Sequence, residues 1–425
     1  MLFLLVPCVK DFKMFNGIDN LYTVSVSAPG KVILHGEHAV VFGRTAVAVS
    51  LGLRSSIVIK EVNYHAEPTI RIHLPCVGLE ETLPLEPAVQ SLFQPRLVPG
   101  ITGKFSWKMP DKLDHDSHLR RVDEFLHIIK PNFDSLQNNQ KDSLRSFLYI
   151  FSGIFGSTCL PVRSMDISLG SELTIGAGTG SSASFAVCLA GALIQLLKLK
   201  MSSGYDAFYD QSSEQFSVTE REIISQWAYN CEKIMHGNPS GIDNATCTFG
   251  SIVSFKKGGK PRHLDIRMDL RVLLVDSRVS RETSPLLMKV AALRQRNTSA
   301  VDHIFDACDQ ISHTATQVLE KLSSGKCEID TEAEYQHLAE LWDMNHCLLS
   351  ALGVSHPALE AIRSMARAKG LACKLTGAGG GGYAMVLIPP STPRSIVDSL
   401  SGQLLENGFR AKETRLGGPG VSIEM

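Results

Sequence analysis

The stretch Ile175–Ser184, I-G-A-G-T-G-S-S-A-S, sets glycines at alternate positions, Gly176, Gly178 and Gly180, ahead of the hydroxyls of Ser181 and Ser182. Behind it Ala183–Met201 is apolar on nearly every face, and before it Met165–Thr174 alternates apolar and polar residues. The pattern predicts a strand, a glycine-rich turn and a buried helix. Glycine adopts positive φ and lets a ligand reach the backbone without a Cβ in the way. The first N–H groups of a helix are unpaired and sit at the positive end of its dipole. Such a turn can cradle a phosphate, with the serine hydroxyls free to bond it or a bound Mg²⁺; an ordinary turn with a Ser N-cap uses the same residues. The Walker pattern G-x-x-x-x-G-K-[ST] is absent. Gly178–Ala183 matches a short G-x-G-x-x-A, but no acidic residue closes a second strand, so a dinucleotide site is excluded.

Other segments carry candidate chemistry. In Ala28–Val40 a short apolar strand lies between glycine-bearing turns, flanked by Lys31 and Glu37. His35 and His38 have metal-pair spacing, but neither a third ligand nor H-E-x-x-H accompanies them. His236–Asn244, H-G-N-P-S-G-I-D-N, crowds turn residues around Asp243, with Glu232 near the end of the preceding helix. An Asp in such a turn commonly bonds nearby backbone amides. The alternative is a charged catalytic group, with Glu232 as a metal ligand. Gly377–Gly382 satisfies G-x-G-x-x-G, yet the strand-like Tyr383–Pro389 follows where a dinucleotide site needs a helix. Consecutive glycines there point to close approach of substrate or backbone.

These segments are positioned by alternating strands at Tyr22–Ser27, Arg44–Leu53 and Ser56–Val62, and by helices at Ser143–Phe155 and Arg221–Met235. His65–Asn139, rich in proline, reads as a surface excursion with short strands and a helix at Leu119–Ile129. Strands at Ser251–Phe255 and Leu270–Val275 open a second domain, with helices at Pro285–Arg294, Val301–Leu322, Glu332–Leu352 and Pro357–Lys369. Strands at Gly370–Thr376 and Tyr383–Pro389, a helix near Ser391–Asn407 and a last strand at Gly420–Glu424 complete an α+β chain. The expected division is an N-terminal extension at 1–21, poorly ordered, then domains at 22–250 and 251–425. At 425 residues and 44% hydrophobic content, two cores can be buried. A net charge of −1 argues against nucleic acid and acidic membranes as partners. Cysteines without any C-x-x-C pair read as the reduced thiols of a cytoplasmic protein. Met1–Val9 is apolar, but it lacks a basic n-region and an A-x-A site and is too short to span a bilayer, and no other segment is expected to span one.

Taken in chain order, A-P-G-K-V-I-L-H-G-E-H-A-V-V at Ala28–Val41, the Ile175–Ser184 loop, H-G-N-P-S-G-I-D-N and K-L-T-G-A-G-G-G-G at Lys374–Gly382 resemble the GHMP superfamily of small-molecule kinases, and within it the mevalonate kinase family. The resemblance runs from about Val24 to Ile423, apart from the proline-rich excursion. It implies two α+β domains with the active site in the cleft between them. The first would have a ribosomal-protein-like left-handed β-α-β unit, and the second would be ferredoxin-like.

Family enzymes transfer the γ-phosphoryl of ATP to the C5 hydroxyl of (R)-mevalonate, on the route to isoprenoids and sterols. By this resemblance Asp243 is the catalytic base and Lys31 its neighbouring cation. Ser182 and Glu232 hold Mg²⁺, while Ser171 and Gly176, Ala177, Gly178, Thr179, Gly180, Ser181 and Ser182 bind ATP. Lys31, Glu37, His38, Asp243, Thr283, Gly377 and Ala378 line the mevalonate side. A homodimer and feedback inhibition by farnesyl and geranylgeranyl diphosphate are implied as well. Two positions depart from the family pattern. Thr174-Ile175 stand where Pro-Pro usually precedes the loop, and Tyr383 stands where animal homologues carry a small residue or Cys. A sister kinase or the related decarboxylase would share these loops. A non-catalytic metabolite sensor on the same fold would be expected to lose Asp243 or Lys31, and both are present.

Overall fold

The computed structural model describes residues 21–63, 67–93, 105–158, 160–176, 178–202, 215–237, 239–264, 266, 270–280, 283–324 and 329–424. The expected N-terminal extension, apart from Leu21, lies outside the described residues, as does Ala177 of the glycine loop. Two long strands open the fold, β1 (Thr23–His35) and β2 (Thr45–Glu61). They are followed by β3 (Thr69–Leu74), β4 (Leu79–Pro84), α1 (Leu85–Leu92), α2 (His115–Ile129), α3 (Asn138–Phe155) and β5 (Met165–Ser171). The central helices are α4 (Ser181–Ser202), α5 (Val218–His236) and α6 (Ile242–Phe249), and β6 (Ile252–Lys256), β7 (Arg262–Leu264) and β8 (Leu270–Asp276) come next. The remainder is α7 (Thr283–Arg296), α8 (Thr298–Ser323), α9 (Thr331–Ala351), α10 (Pro357–Arg367), β9 (Cys373–Leu375), β10 (Tyr383–Leu387), α11 (Arg394–Glu406), β11 (Arg410–Leu416) and β12 (Ser422–Glu424).

The length of β2 ties the two halves of the molecule together. Its first residues pair with β6, its last residues pair with β5, and β1 runs along it antiparallel. At the midpoint Leu51 pairs with Leu416 of β11, which continues the sheet into β8, β10 and β9. Lys31 lies opposite Ser50 at this crossing. A side chain there can reach both halves.

Burial follows from periodicity. The unbroken apolar run of β8 puts Val272 and Leu274 in one core with Trp342 and Met385, and Leu273 and Val275 in another with Phe305 and Leu359. Successive strand residues face opposite sides, so a continuous apolar run means a strand covered on both faces. The core of the first half gathers Val24, Val26, Ile57 and Ile59 of the long strands with α3, α4 and Trp227 of α5. Helix α4 is apolar all round because it sits inside this core. Ser181–Met201 is long and apolar enough to cross a membrane, contrary to the expectation that no segment is, but 78% of its most apolar 18 residues are packed inside the protein.

Three expectations about local structure are corrected. The Pro-Gly turn is a bulge within a continuous β1, with the register shifting between Pro29 and Gly30. The excursion is not confined to the surface: Ile70, Ile72, Leu74 and Leu83 enter the first core, and β3 pairs parallel with β5. Its signal was the short period-2 run Thr69–Leu74, masked by the prolines around it. Strand β11 was not anticipated, since Arg410–Arg415 is mostly polar. It is held by full-length pairing with β8 and by the Arg271–Glu413 ion pair at 2.8 Å rather than by burial.

Candidate active site

Lys31 leaves β1 at the sheet crossing, and its Nζ lies 2.9 Å from Oδ1 of Asp243. Asp243 is not in a loose turn: it occupies the first turn of α6, which starts after Gly241 in a left-handed conformation (φ 82°). The Lys31 side chain is 10% exposed and that of Asp243 31%, so the pair faces a cavity while its stem is packed. The cavity, about 1420 Å³, is bounded by Lys31, Asp243, Ser182, Gly178, His38 and Ala378. Residues from the first strand, the central loop and the late glycine run therefore share one space.

The glycine loop is docked against Lys31. The Lys31 amide donates to the Thr179 carbonyl at 2.9 Å. Gly180 has φ 73°, and a Cβ there would lie 2.8 Å from Lys31 Cγ, so loop and lysine could not close together with any larger residue. Helix α4 begins immediately afterwards, with the Ser184 amide donating to the Gly180 carbonyl at 2.9 Å. The free amides of its first turn thus open beside Lys31. Ser171 also lines the cavity, at the end of β5, and its hydroxyl lies 2.9 Å from that of Ser55.

Helix α5, started by a Ser217–Glu220 capping box, carries Glu232 and His236 one turn apart and therefore on one face. His236 Nε2 lies 3.1 Å from the Ser182 hydroxyl. Glu232 is 2% exposed and its Oε2 has no hydrogen-bond partner. Burial, reinforced by the Asp243 carboxylate and opposed by Lys31, pushes its carboxyl well above the usual carboxylate range. Among the described residues no three His, Cys, Asp or Glu side chains form a ready-made metal cage. The donors present are a buried carboxylate oxygen and a hydroxyl. That set suits a hard cation whose remaining ligands come from water and phosphate, as with Mg²⁺.

Elsewhere on the cavity wall Glu37 forms an ion pair with Lys374 at 2.5 Å, both side chains fully buried. Lys374 also donates to the Leu34 carbonyl at 2.8 Å. Burial raises the Glu37 carboxyl, and Lys374 partly offsets this. His38 has φ 58° and its Nε2 lies 2.8 Å from the Ala378 carbonyl, which joins the first strand's turn to the late glycine run. That run is shaped by backbone approach: a Cβ on Gly379 would lie 2.1 Å from the Val354 carbonyl oxygen. Gly377 lines the cavity beside Ala378, and Thr283 begins α7. His35 lies on β1 behind this wall. Its ring is fully buried, and burial together with nearby Lys374 holds its pKa well below the ordinary value.

Sequence reasoning missed Lys374 and the part of the excursion that reaches the cavity. Lys374 was quoted within a motif without a role; its signal is a charged residue between the buried strand residues Cys373 and Leu375, which demands a buried partner. Leu74, Cys76 and Val77 of the excursion line the cavity, as does Asn139, and the proline-rich composition gave no hint of it.

Comparison with known proteins bears on this arrangement. The chain matches GHMP kinases N terminal domain over residues 147–251 and GHMP kinases C terminal over residues 332–405. The mevalonate kinase of Homo sapiens is 35% identical over 399 residues, covering 94% of each chain. That of Arabidopsis thaliana is 31% identical over 415 residues, covering 94% of this chain and 99% of the plant one. The chain belongs to the mevalonate kinase family. A crystal structure of L. major mevalonate kinase in complex with R-mevalonate has a TM-score of 0.60 at 20% identity, covering 95% of this chain and 98% of that one, so the fold is shared. The expected two-domain α+β GHMP kinase fold is therefore present. As a mevalonate kinase family member the chain is a kinase, with ATP as phosphoryl donor.

Proposed function

We propose that the chain transfers the γ-phosphoryl of ATP to the C5 hydroxyl of (R)-mevalonate, giving 5-phosphomevalonate for isoprenoid and sterol synthesis. The observation that carries this reading is the Lys31–Asp243 pair at 2.9 Å, facing a cavity shared by the glycine loop and the Ala378 wall. Asp243 accepts the hydroxyl proton as the O5–P bond forms and the bond to ADP breaks. A free carboxylate with a pKa of about 3.9 is a weak base towards an alcohol. Lys31 therefore favours the developing alkoxide and neutralises charge on the phosphoryl group in transit. The loop Gly176–Ser181 and the first turn of α4 hold the triphosphate, and Ser171 lies on the nucleotide side. Glu37 and His38 orient mevalonate with Thr283, Gly377 and Ala378. Phosphoryl transfer asks mainly for such positioning and charge stabilisation.

Glu232 and the Ser182 hydroxyl would hold Mg²⁺, which when bound neutralises charge on the β- and γ-phosphates. The unpartnered Glu232 oxygen supports that assignment. Omission of Mg²⁺ should abolish turnover; full turnover in EDTA would remove it. The reading extends to a cytoplasmic homodimer inhibited by farnesyl and geranylgeranyl diphosphates in competition with ATP. The described cysteines are free thiols, and the cavity wall includes apolar residues such as Leu74, Val77 and Phe185. Sedimentation as a monomer, or inhibition unrelieved by ATP, would count against those elements.

The decisive assay is ADP release with mevalonate, phosphomevalonate, homoserine and galactose. Turnover is expected with mevalonate. Turnover with another substrate alone would keep the superfamily and discard the substrate. Nucleotide binding without any turnover would favour the sensor reading.

A further inference from the structure

Two residues far apart in the sequence, Thr174 and Tyr383, touch each other. The Tyr383 hydroxyl donates to Thr174 Oγ1 at 2.9 Å, across a separation of 209 residues. Tyr383 is 8% exposed at the start of β10, directly after the late glycine run, and Thr174 stands where the nucleotide loop begins. The residues beside Thr174 reach the same half of the molecule. Glu172 pairs with Lys412 of β11 at 2.7 Å. Leu173 is 5% exposed and packs in the core that also contains Val272, Met385, Leu416 and Tyr383.

These three residues are thus a strap from the end of β5 to the sheet of the second half. Its course is fixed on β1 too. A Cβ on Gly30 would lie 2.6 Å from Leu173 Cδ2 and 2.6 Å from the Thr179 carbonyl oxygen, so the start and the end of the loop both close on Gly30. Thr179 then accepts from the Lys31 amide at 2.9 Å. The glycines between, Gly176 and Gly178, have φ 75° and 80° and add no side chain to hold the loop's shape. Its shape is therefore set at the two ends.

We propose that Tyr383 is a positioning residue for ATP: through Thr174, and with Leu173 and Glu172 alongside, it fixes the start of the phosphate loop against the second half of the molecule. This rests on the assignment of Gly176–Ser181 to the triphosphate. A neutral hydrogen bond of this kind confines the chain before the glycines without touching the reacting atoms, so its loss acts on nucleotide affinity more than on the chemical step.

The test uses the full chain with Tyr383→Phe, Thr174→Val, Thr174→Ser and the Tyr383→Phe/Thr174→Val double variant. KM for ATP and kcat are read from ADP release, and Kd is read for a fluorescent ATP analogue in Mg²⁺ without mevalonate. Tyr383→Phe and Thr174→Val are each expected to raise KM and Kd for nucleotide about 2- to 5-fold. The expected kcat stays within about 2-fold, and Thr174→Ser stays near the parent, because only the hydroxyl is needed. The double variant should be no weaker than the weaker single one, since both remove one bond. Unchanged nucleotide affinity in both singles, multiplying effects in the double, or a fall in kcat at constant KM would overturn the proposal. The binding readout separates this outcome from a failure of the substrate assignment, because it needs no mevalonate.

Discussion

Two lysine–carboxylate pairs border the cleft, and they are built for opposite ends. Lys31 and Asp243 are 2.9 Å apart, with Asp243 31% exposed to the cavity. Lys374 and Glu37 are 2.5 Å apart with no exposure at either side chain. A partly hydrated pair is worth little to stability and can be broken at low cost when a hydroxyl enters between its members. A sealed pair keeps its own partner when substrate binds, so Glu37 shapes the mevalonate side from a fixed position, and losing one member strands a charge in the interior. The wall that holds Lys374 and Glu37 thus keeps its shape, while the wall that holds Lys31 and Asp243 stays available for proton and charge movement.

Removing Lys374 is the strongest way to break this contrast. Lys374→Met should destabilise the protein by about 3–5 kcal/mol, seen as a lower denaturant midpoint, because Glu37 is left buried without its cation. Replacing Glu37 by Gln in the same chain should recover part of the loss. An unchanged midpoint with abolished turnover would instead make Lys374 part of the chemistry.

The next effect concerns a sealed group that stays neutral. His118 on α2 is buried; its Nε2 lies 3.1 Å from the Tyr149 carbonyl and Arg121 donates to Nδ1 at 3.0 Å. Burial lowers its pKa from 6.5 to about 4. Between these values the unfolded chain binds more protons than the folded one, so stability falls as pH drops from about 6.5 towards 4. Integrated over that window the loss is about 3 kcal/mol. His118→Gln should flatten the fall in denaturant midpoint across it, and parallel pH profiles for the two chains would show that His118 does not titrate this way.

The smallest stability effect is expected at the open pair. Asp243→Asn should shift the midpoint by no more than about 1 kcal/mol. A loss as large as that of Lys374→Met would erase the distinction between the two walls.

Much of this arrangement was legible in residue types and spacing. The alternating strands and the all-apolar α4 announced an α+β chain, and the long motifs around Lys31, Asp243 and the glycine runs, through their family resemblance, pointed to the two-domain fold and to the candidate site. What was not legible depended on contacts distant in sequence. Arg410–Leu416 is a strand because β8 lies beside it, not because of its own pattern. At the Pro29–Gly30 bulge Leu173 and Thr179 approach Gly30 too closely for any side chain there. Leu74–Val77 reach the cavity although their prolines and short runs read as surface. Thr174 and Tyr383 could each be noted as unusual, but no local feature says that they bond to one another.

The most direct measurement is mevalonate-dependent ADP release by the native chain and by Asp243→Asn, with fold and Mg-ATP binding checked in both. The account predicts a fall in kcat of about 10²- to 10⁴-fold in the variant, with nucleotide binding and stability retained. Undiminished turnover in Asp243→Asn, or ADP release by the native chain that does not depend on mevalonate, would contradict it.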